Sequence, residues 1–434
     1  MRETGRQPGR GHRRGLLVLT VVLGLALASC ASSPSKKALR AAAPPSAPRV
    51  EGTGEVDAVS ALGGSVAWLV VPDPASVSSG PGGNARPDWL VERLAGGSVA
   101  QVTPPGIVVR GGVAVSGLPG GQTAWVAIGS YRYQLDGAVA VTTDGGRHWS
   151  ETALSVPLAP APQGVLAESA DQAVVLGGLG AKRELLRTTN GGASWATVAA
   201  ASQLLGTDAS RCTLEGLGPG PSGSVLVGSR CDGPRGLLVA VSGSGQVSHW
   251  IVVVPGASGG ATTVLPLASD VAGSPAVATV GWQTTAVPGG VLEAGLAQFG
   301  AAGSLDLLGQ PATITGGLTL LGGGAGPEGV EVLLAGRDPD RFPGPGPDEV
   351  LARAGSGAGW QLVAPVRGDG FGLVADAVGW SAGGSEVVVA GSSGEHPALA
   401  TVPSSGDGGL TSGAAHWQTT VLPLPQIPTA SSLS

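Results

Sequence analysis

Side chains that can hold or attack a charged ligand are concentrated in a few irregular segments of the sequence. The chain contains only two tyrosines in 434 residues, and both lie in one such segment on either side of an arginine. Arginine holds carboxylates, and tyrosine serves as a nucleophile in one class of glycosidase. Residues in loops that depart from a regular scaffold carry function more often than strand residues, so these positions form a candidate binding face. Its members are Tyr131, Arg132, Tyr133, Arg183, Arg337, Asp338, Asp340 and Arg341.

Catalysis by a sialidase-type enzyme would require further residues. That chemistry needs an arginine triad for the sugar carboxylate, a tyrosine nucleophile paired with a glutamate, and an acidic proton donor. No Phe/Tyr-Arg-Ile-Pro segment occurs near the start of the repeats, and the five histidines show no spacing typical of metal ligands. The sequence therefore predicts no catalytic residue, no metal and no cofactor, and we expect a non-catalytic protein.

The elements that must position the loops repeat along the chain. Two landmarks recur seven times each at intervals of 46 to 57 residues: an apolar strand that ends in Gly or Pro, and a residue, usually Trp, that starts a later strand. Periods of this length indicate a repeat architecture. The first landmark ends at Pro72, Gly129, Gly177, Gly228, Gly281, Gly336 and Gly391, and the second begins at Val99, Trp149, Trp195, Trp250, Leu305, Trp360 and Trp417.

Each repeat contains four short Val-, Leu- and Ala-rich runs separated by Gly-rich turns. Four strands in a unit of about 53 residues are typical of a propeller blade. We predict an all-β fold, a seven-bladed β-propeller with four antiparallel strands per blade, over residues 51–425. In such a fold the loops from strand two to three and from strand four to the next blade share one face, which is the expected binding face.

Two turns repeat almost unchanged, TTDGGRHW at residues 142–149 and TTNGGASW at residues 188–195. Both resemble the Asp-box, or BNR repeat, of the form Ser/Thr-x-Asp-x-Gly-x-x-Trp. In such a turn the acid or amide bonds turn amides, glycine supplies positive φ and Trp packs over the turn. We expect structural roles for Thr142, Asp144, Gly146, Trp149, Thr188, Asn190, Gly192 and Trp195.

With the seven-fold period, these boxes make the chain similar to the photosystem II assembly-factor-like propellers and their bacterial relatives. In that family a membrane-facing propeller binds partner proteins. The resemblance therefore implies a binding protein with a protein partner.

The N-terminus has the pattern of a secretory signal. Five arginines precede the apolar run of residues 16–28, which is too short to span a bilayer and ends in small residues. Leu27-Ala28-Ser29-Cys30 resembles the lipobox of bacterial lipoproteins, so we expect residues 1–29 to be a signal peptide and Cys30 to carry lipid. The Sec and twin-arginine export routes both remain open.

Two further segments lie outside the predicted propeller. Residues 30–50 are rich in Ala, Ser and Pro and are expected to form a flexible tether. Residues 426–434 are expected to be a disordered tail.

The charge of the chain limits the classes of partner, and its cysteines bear on the cellular compartment. Removal of five Arg and one Glu with the signal changes 24 basic and 30 acidic residues to 19 and 29, and no basic stripe remains for nucleic acid. In an exported chain, Cys212 and Cys231 suggest a disulfide. Both lie about equally far from the turn of residues 218–223, so they should face each other across one hairpin. Two reduced core thiols are the alternative.

The leading hypothesis is a membrane-tethered binding or scaffold lipoprotein on the outer face of a bacterial cell membrane. Its loop face would recognise a protein or cell-envelope partner. The alternative is an exported carbohydrate-active, sialidase-like enzyme or a glycan-binding propeller.

Overall fold

The computed structural model describes most of the chain between residues 58 and 421, and it contains six antiparallel β-sheets. The described residues are 58–63, 66–72, 89–96, 98–104, 113–129, 137–158, 164–178, 182–253, 260–267, 277–285, 292–300, 304–314, 318–326, 330–337, 349–355, 357–363, 373–380, 385–393, 396–404, 409–410 and 417–421. The predicted signal peptide, the tether with Cys30 and the C-terminal tail lie outside them. Within these residues no helix has the length and apolar character needed to cross a membrane.

The first three sheets each contain four strands in simple up-and-down order. Sheet 1 comprises β1 Ala58–Gly63, β2 Val66–Pro72, β3 Trp89–Ala95 and β4 Ser98–Gln101; sheet 2 comprises β5 Val113–Gly117, β6 Ala124–Ile128, β7 Ala138–Thr142 and β8 Ser150–Ala153; sheet 3 comprises β9 Val165–Ala167, β10 Ala173–Gly177, β11 Glu184–Thr188 and β12 Ala196–Ala199.

The other three sheets differ in size, because sheet 4 has eight strands and sheets 5 and 6 have four each. A short helix α1, Ala201–Leu205, and 3-10 turns at Gly206–Asp208 and Pro221–Gly223 accompany sheet 4. Sheet 4 comprises β13 Cys212–Pro219, β14 Val225–Asp232, β15 Arg235–Val241, β16 Val247–Val253, β17 Ala261–Pro266, β18 Val277–Thr285, β19 Leu292–Gly300 and β20 Leu305–Ile314; sheet 5 comprises β21 Leu318–Ala325, β22 Val330–Arg337, β23 Glu349–Ala354 and β24 Gln361–Leu362; sheet 6 comprises β25 Leu373–Trp380, β26 Glu386–Ser393, β27 His396–Pro403 and β28 Gln418–Val421.

The core lies between the sheets and is mainly aliphatic. All five residues of β6 and all five of β10 are buried, so these strands are covered on both faces. This explains why their sequences, AWVAI and AVVLG, are continuous apolar runs without the alternation of a half-exposed strand. Each pair of neighbouring sheets encloses a separate buried cluster.

A further cluster joins the two ends of the sheet series. Leu69 and Val71 of sheet 1 pack with Val388 and Ala390 of sheet 6. The sheets therefore follow one another in a closed cycle, an arrangement that is β-propeller-like.

Sheet 4 differs from the predicted pattern of seven separate four-stranded sheets. Along one edge of β14, residues 225–227 pair with β15 and residues 229–232 pair with β17, which joins two sets of four strands. The two halves of this sheet also pack face to face through Leu238, Val264 and Trp282.

A glycine and a serine make this junction possible. A Cβ atom on Gly228 would lie 2.2 Å from the carbonyl oxygen of Val264, so only glycine allows β17 to approach. The hydroxyl of the adjacent, fully buried Ser229 donates to the carbonyl of Leu237 at 2.6 Å and accepts from its N–H at 3.2 Å. It thereby replaces the ladder hydrogen bonds that β15 loses where β17 takes its place.

Gly228→Ala tests the junction. The new methyl group meets a backbone carbonyl that cannot rotate away, so we expect the free energy of unfolding to fall by about 1–3 kcal/mol in urea denaturation. Gly359→Ala is the matched control, because a Cβ there meets no atom within 4 Å. Equal stabilities of the two variants would contradict this account.

Candidate functional site

The first of the two repeated turns is held by its own polar side chains. The buried Thr142 hydroxyl accepts from the N–H of Gly146 at 2.9 Å, and Oδ1 of Asp144 accepts from the N–H of His148 at 2.9 Å. Gly146 has a φ of 86°, and a Cβ there would lie 2.5 Å from Cβ of Val102. Glycine is therefore required both by the backbone angle and by the available space.

The second turn repeats these contacts with an amide in place of the acid. The Thr188 hydroxyl accepts from the N–H of Gly192 at 3.0 Å, and Oδ1 of Asn190 accepts from the N–H of Ser194 at 3.0 Å. Nδ2 of Asn190 donates to the Ser194 hydroxyl at 2.8 Å. Since both turns use their polar groups internally, neither presents Asp144 or Asn190 as an isolated catalytic side chain.

The carboxyl of Asp144 has a pKa below its usual value. Partial burial raises the pKa, but hydrogen bonds from the backbone and side chain of His148 and from Thr142 lower it by more. Lowering the folded-state pKa makes the ionised carboxylate favour the folded state above the unfolded-state pKa. This contribution is lost as the pH falls through the folded-state pKa.

The tryptophans that follow the turns connect adjacent sheets. Trp149 packs edge-on against Trp68 of sheet 1 with ring centroids 6.1 Å apart, and Trp195 packs against Trp125 of sheet 2 at 6.0 Å. Nε1 of Trp149 also donates to the carbonyl of Val102 at 2.7 Å. Each turn therefore fixes the position of its own sheet against the preceding one.

A buried ion pair on sheet 5 contacts sheet 4. Nε of Arg353 donates to Oε2 of Glu331 at 2.7 Å, and both side chains are almost fully buried. Nη1 and Nη2 donate to the carbonyls of Gln310 and Leu308, and the Trp360 ring lies 4.3 Å from the guanidinium. Burial raises the pKa of the Glu331 carboxyl, and the Arg353 guanidinium lowers it by less.

The cavity beside Arg353 is too small for a substrate. Its volume is about 80 Å³, whereas sites for drug-sized ligands measure roughly 300–1,000 Å³. The guanidinium is held by carbonyls and a carboxylate on two sheets, so its role in this structure is to join them.

Among the described residues, two connections of the predicted binding face meet beside the first half of sheet 4. The connection from sheet 3, which contains α1, meets the β14–β15 loop of residues 232–235. Nε of Arg211 donates to Asp208 at 2.6 Å, and Nη1 donates to the carbonyls of Asp232 and Arg235 at 3.3 and 3.2 Å. A strand-four-to-one connection and a strand-two-to-three loop therefore meet at one face here, and we call the surface of residues 208–211 and 230–235 the loop-face patch.

A disulfide joins the two strands whose ends carry this patch. Cys212 and Cys231 are bonded and lie opposite each other in the register of β13 and β14, which confirms the pairing predicted from sequence. Cys231 lies within β14, whereas the sequence suggested a strand that ends at Gly228. The β17 pairing explains the extension, because it gives Ser229–Asp232 a partner strand.

Of the eight residues predicted for the binding face, Arg183 is the only one whose side chain falls in the described part. Its guanidinium donates to the carbonyl of Leu214 on β13, so it connects sheets 3 and 4. Arg337 ends β22, but its side chain is outside the described residues. The other six, which lie entirely outside them, are Tyr131, Arg132, Tyr133, Asp338, Asp340 and Arg341.

The charged residues of the patch were not predicted individually from the sequence. Asp208, Arg211, Arg230, Asp232 and Arg235 all lie within four residues of one of the paired cysteines. That proximity was the available signal, since the disulfide fixes where the flanking side chains emerge.

No family model matches the sequence, and no curated protein matches it.

Solved structures of several other proteins are similar. A puromycin-hydrolysing peptidase from Mycobacterium tuberculosis matches with a TM-score of 0.46 and 16% identity over 91% of this chain and 59% of that one. Prolyl oligopeptidase B from Galerina marginata matches with a TM-score of 0.44 and 11% identity over 86% and 52%. TolB from Acinetobacter baumannii matches with a TM-score of 0.35 and 8% identity over 77% and 59%. The chain thus spans between a half and three fifths of the length of these proteins.

The expectation of a non-catalytic protein is wrong, because two of these three structures are of peptidases. The expectation rested on missing sialidase and metal-site residues, which address only two classes of reaction. TM-scores below 0.5 assign no reaction and no catalytic residue to this chain.

Thr142→Val tests the first turn. Loss of the hydroxyl leaves the buried N–H of Gly146 without its acceptor, so we expect the free energy of unfolding to fall by about 1–3 kcal/mol in urea denaturation. Thr143→Val is the control, because Thr143 is exposed. A Thr142 variant as stable as the Thr143 variant would refute the role of this hydrogen bond.

Proposed function

We propose that the protein is a membrane-tethered, extracytoplasmic binding or scaffold lipoprotein that recognises a protein partner through the loop face of a seven-bladed propeller. The observation that carries the proposal is the loop-face patch, where two connections converge and are held by Arg211 and a disulfide. Loops fixed on a rigid scaffold are the usual place for a binding site.

We count seven blades by treating sheet 4 as two blades joined at one edge. Its strands form two sets of four that pack face to face, and the remaining sheets have four strands each. The Thr–Gly and Asp–His or Asn–Ser hydrogen bonds of the two repeated turns support an Asp-box in sheets 2 and 3.

The disulfide supports a location outside the cytoplasm, because such bonds persist in oxidising compartments. The basic, apolar and small-residue order of residues 1–29 and the lipobox-like Leu27-Ala28-Ser29-Cys30 support export and lipid attachment. A tether of about 20 residues would allow the loop face to reach a partner near the membrane surface.

Anchoring is tested with Cys30→Ser in the full chain. Without the thiol no lipid can be attached, so we expect loss of radiolabelled palmitate and a shift from the membrane to the soluble fraction. Ser29→Ala keeps a small residue before the cysteine and should stay labelled. A Cys30 variant that remains labelled and membrane-bound would refute the lipoprotein proposal.

Binding is tested by photo-crosslinking in intact cells, with the crosslinker in place of Pro234 in the full chain. Pro234 is exposed in the β14–β15 loop, whereas the control position, exposed Ser244, lies in the β15–β16 turn at the opposite end of the strands. We expect a discrete crosslinked protein from position 234 and none from position 244. Equal capture at both positions, or none at 234, would argue against a partner at this face.

A further inference from the structure

The acids around the loop-face patch are mostly used within the fold. Asp208 pairs with Arg211 at 2.6 Å, and the Thr213 hydroxyl donates to Glu215 at 3.0 Å. Asp232 is the exception, since its exposed carboxylate makes no ion pair with any described residue. The negative charge available to a partner is therefore largely confined to one side chain.

Two arginines of the patch, unlike most of its acids, have no partner for their side chains among the described residues. Arg230 and Arg235 make no side-chain hydrogen bond and no ion pair within the described part of the chain. Arg230 is half-buried in β14, in register between Thr213 of β13 and Thr263 of β17. Arg235 is exposed at the first position of β15, on the other side of the loop.

Arg230 is positioned by the strand junction described above. Because β14 continues through Asp232 to pair with β17, successive residues alternate between the sheet faces. Cys231 points into the core and carries the disulfide, so Arg230 must point to the opposite face. Pairing on both sides restrains its backbone, while its guanidinium stays available.

A guanidinium that has no carboxylate partner among the described residues can bind the carboxylate of a ligand. Arginine presents up to five donors in a planar fork, which matches a carboxylate in a bidentate manner. The chain as a whole has a net charge of −6, so local positive sites such as these two arginines would decide where an acidic partner binds. Such complementarity governs specificity and association rate.

We propose that the loop-face patch binds an acidic segment of a protein partner, with Arg230 and Arg235 as its charge contacts. This inference rests on the proposed binding function and specifies its chemistry. Arg211 is a positioning residue, since it is already committed to Asp208 and to two loop carbonyls.

The test uses the full chain in neutral detergent and a fluorescent deca-glutamate peptide as the probe, with binding followed by anisotropy. We expect the double variant Arg230→Gln/Arg235→Gln to bind the peptide at least about tenfold more weakly, and salt to weaken binding to the unmodified protein. Arg147→Gln is the matched control, because Arg147 is an exposed arginine in the β7–β8 turn. It should change the affinity by less than twofold, and a Gly-Ser peptide should not bind.

Folding of the variants is checked by thermal unfolding. If the double variant unfolds early, the exposed Arg235→Gln alone carries the test, with an expected loss of about threefold. Deca-glutamate that fails to bind the unmodified protein, or that binds the arginine variants and the Arg147 control equally, overturns the inference. Crosslinking at Pro234 separates the two proposals. A partner that is captured equally by the double variant would support the binding face but contradict recognition of an acidic segment.

Discussion

Face-to-face burial of aliphatic strands between neighbouring sheets is the interaction on which the rest of the structure depends. With only 15 aromatic residues in 434, the chain fills its core with Val, Leu and Ala, and β6 and β10 are covered on both faces. Each sheet is therefore stabilised by its two neighbours and buries little apolar surface by itself. The cluster that contains Leu69 and Val388 completes the series, because it gives the first and last sheets a second neighbour.

Aromatic and polar contacts also connect neighbouring sheets. Trp149 and Trp195 hold the repeated turns against the preceding sheets, and Arg353 of sheet 5 donates hydrogen bonds to two carbonyls of sheet 4. Removal of one partner from a buried ion pair leaves an uncompensated charge, so Glu331 and Arg353 constrain each other. The loop-face patch depends on strand pairing within sheet 4, since β14 places Arg230 between β13 and β17.

Much of the strand pattern could be predicted, because apolar runs and turn residues in the local sequence determine where strands begin and end. The apolar landmark ending at Gly177 ends β10, and the landmark at Trp195 directly precedes β12. Symmetry about the turn near Gly220 was enough to pair Cys212 with Cys231. The β14–β17 junction could not be predicted, because it requires a close approach between Gly228 and Val264, which are distant in sequence. The role of Arg183 was missed for a similar reason, since its acceptor is a carbonyl on the next sheet.

The contact between the first and last sheets has a consequence for how the protein is made. A chain that leaves the ribosome or a translocation channel N-terminus first exposes the sheet 1 face of Leu69 and Val71 long before Val388 and Ala390 emerge. Native contacts between distant segments form late and slow folding. This apolar face of the nascent chain therefore stays exposed to solvent until synthesis is nearly finished. A product truncated before sheet 6 would be prone to aggregate.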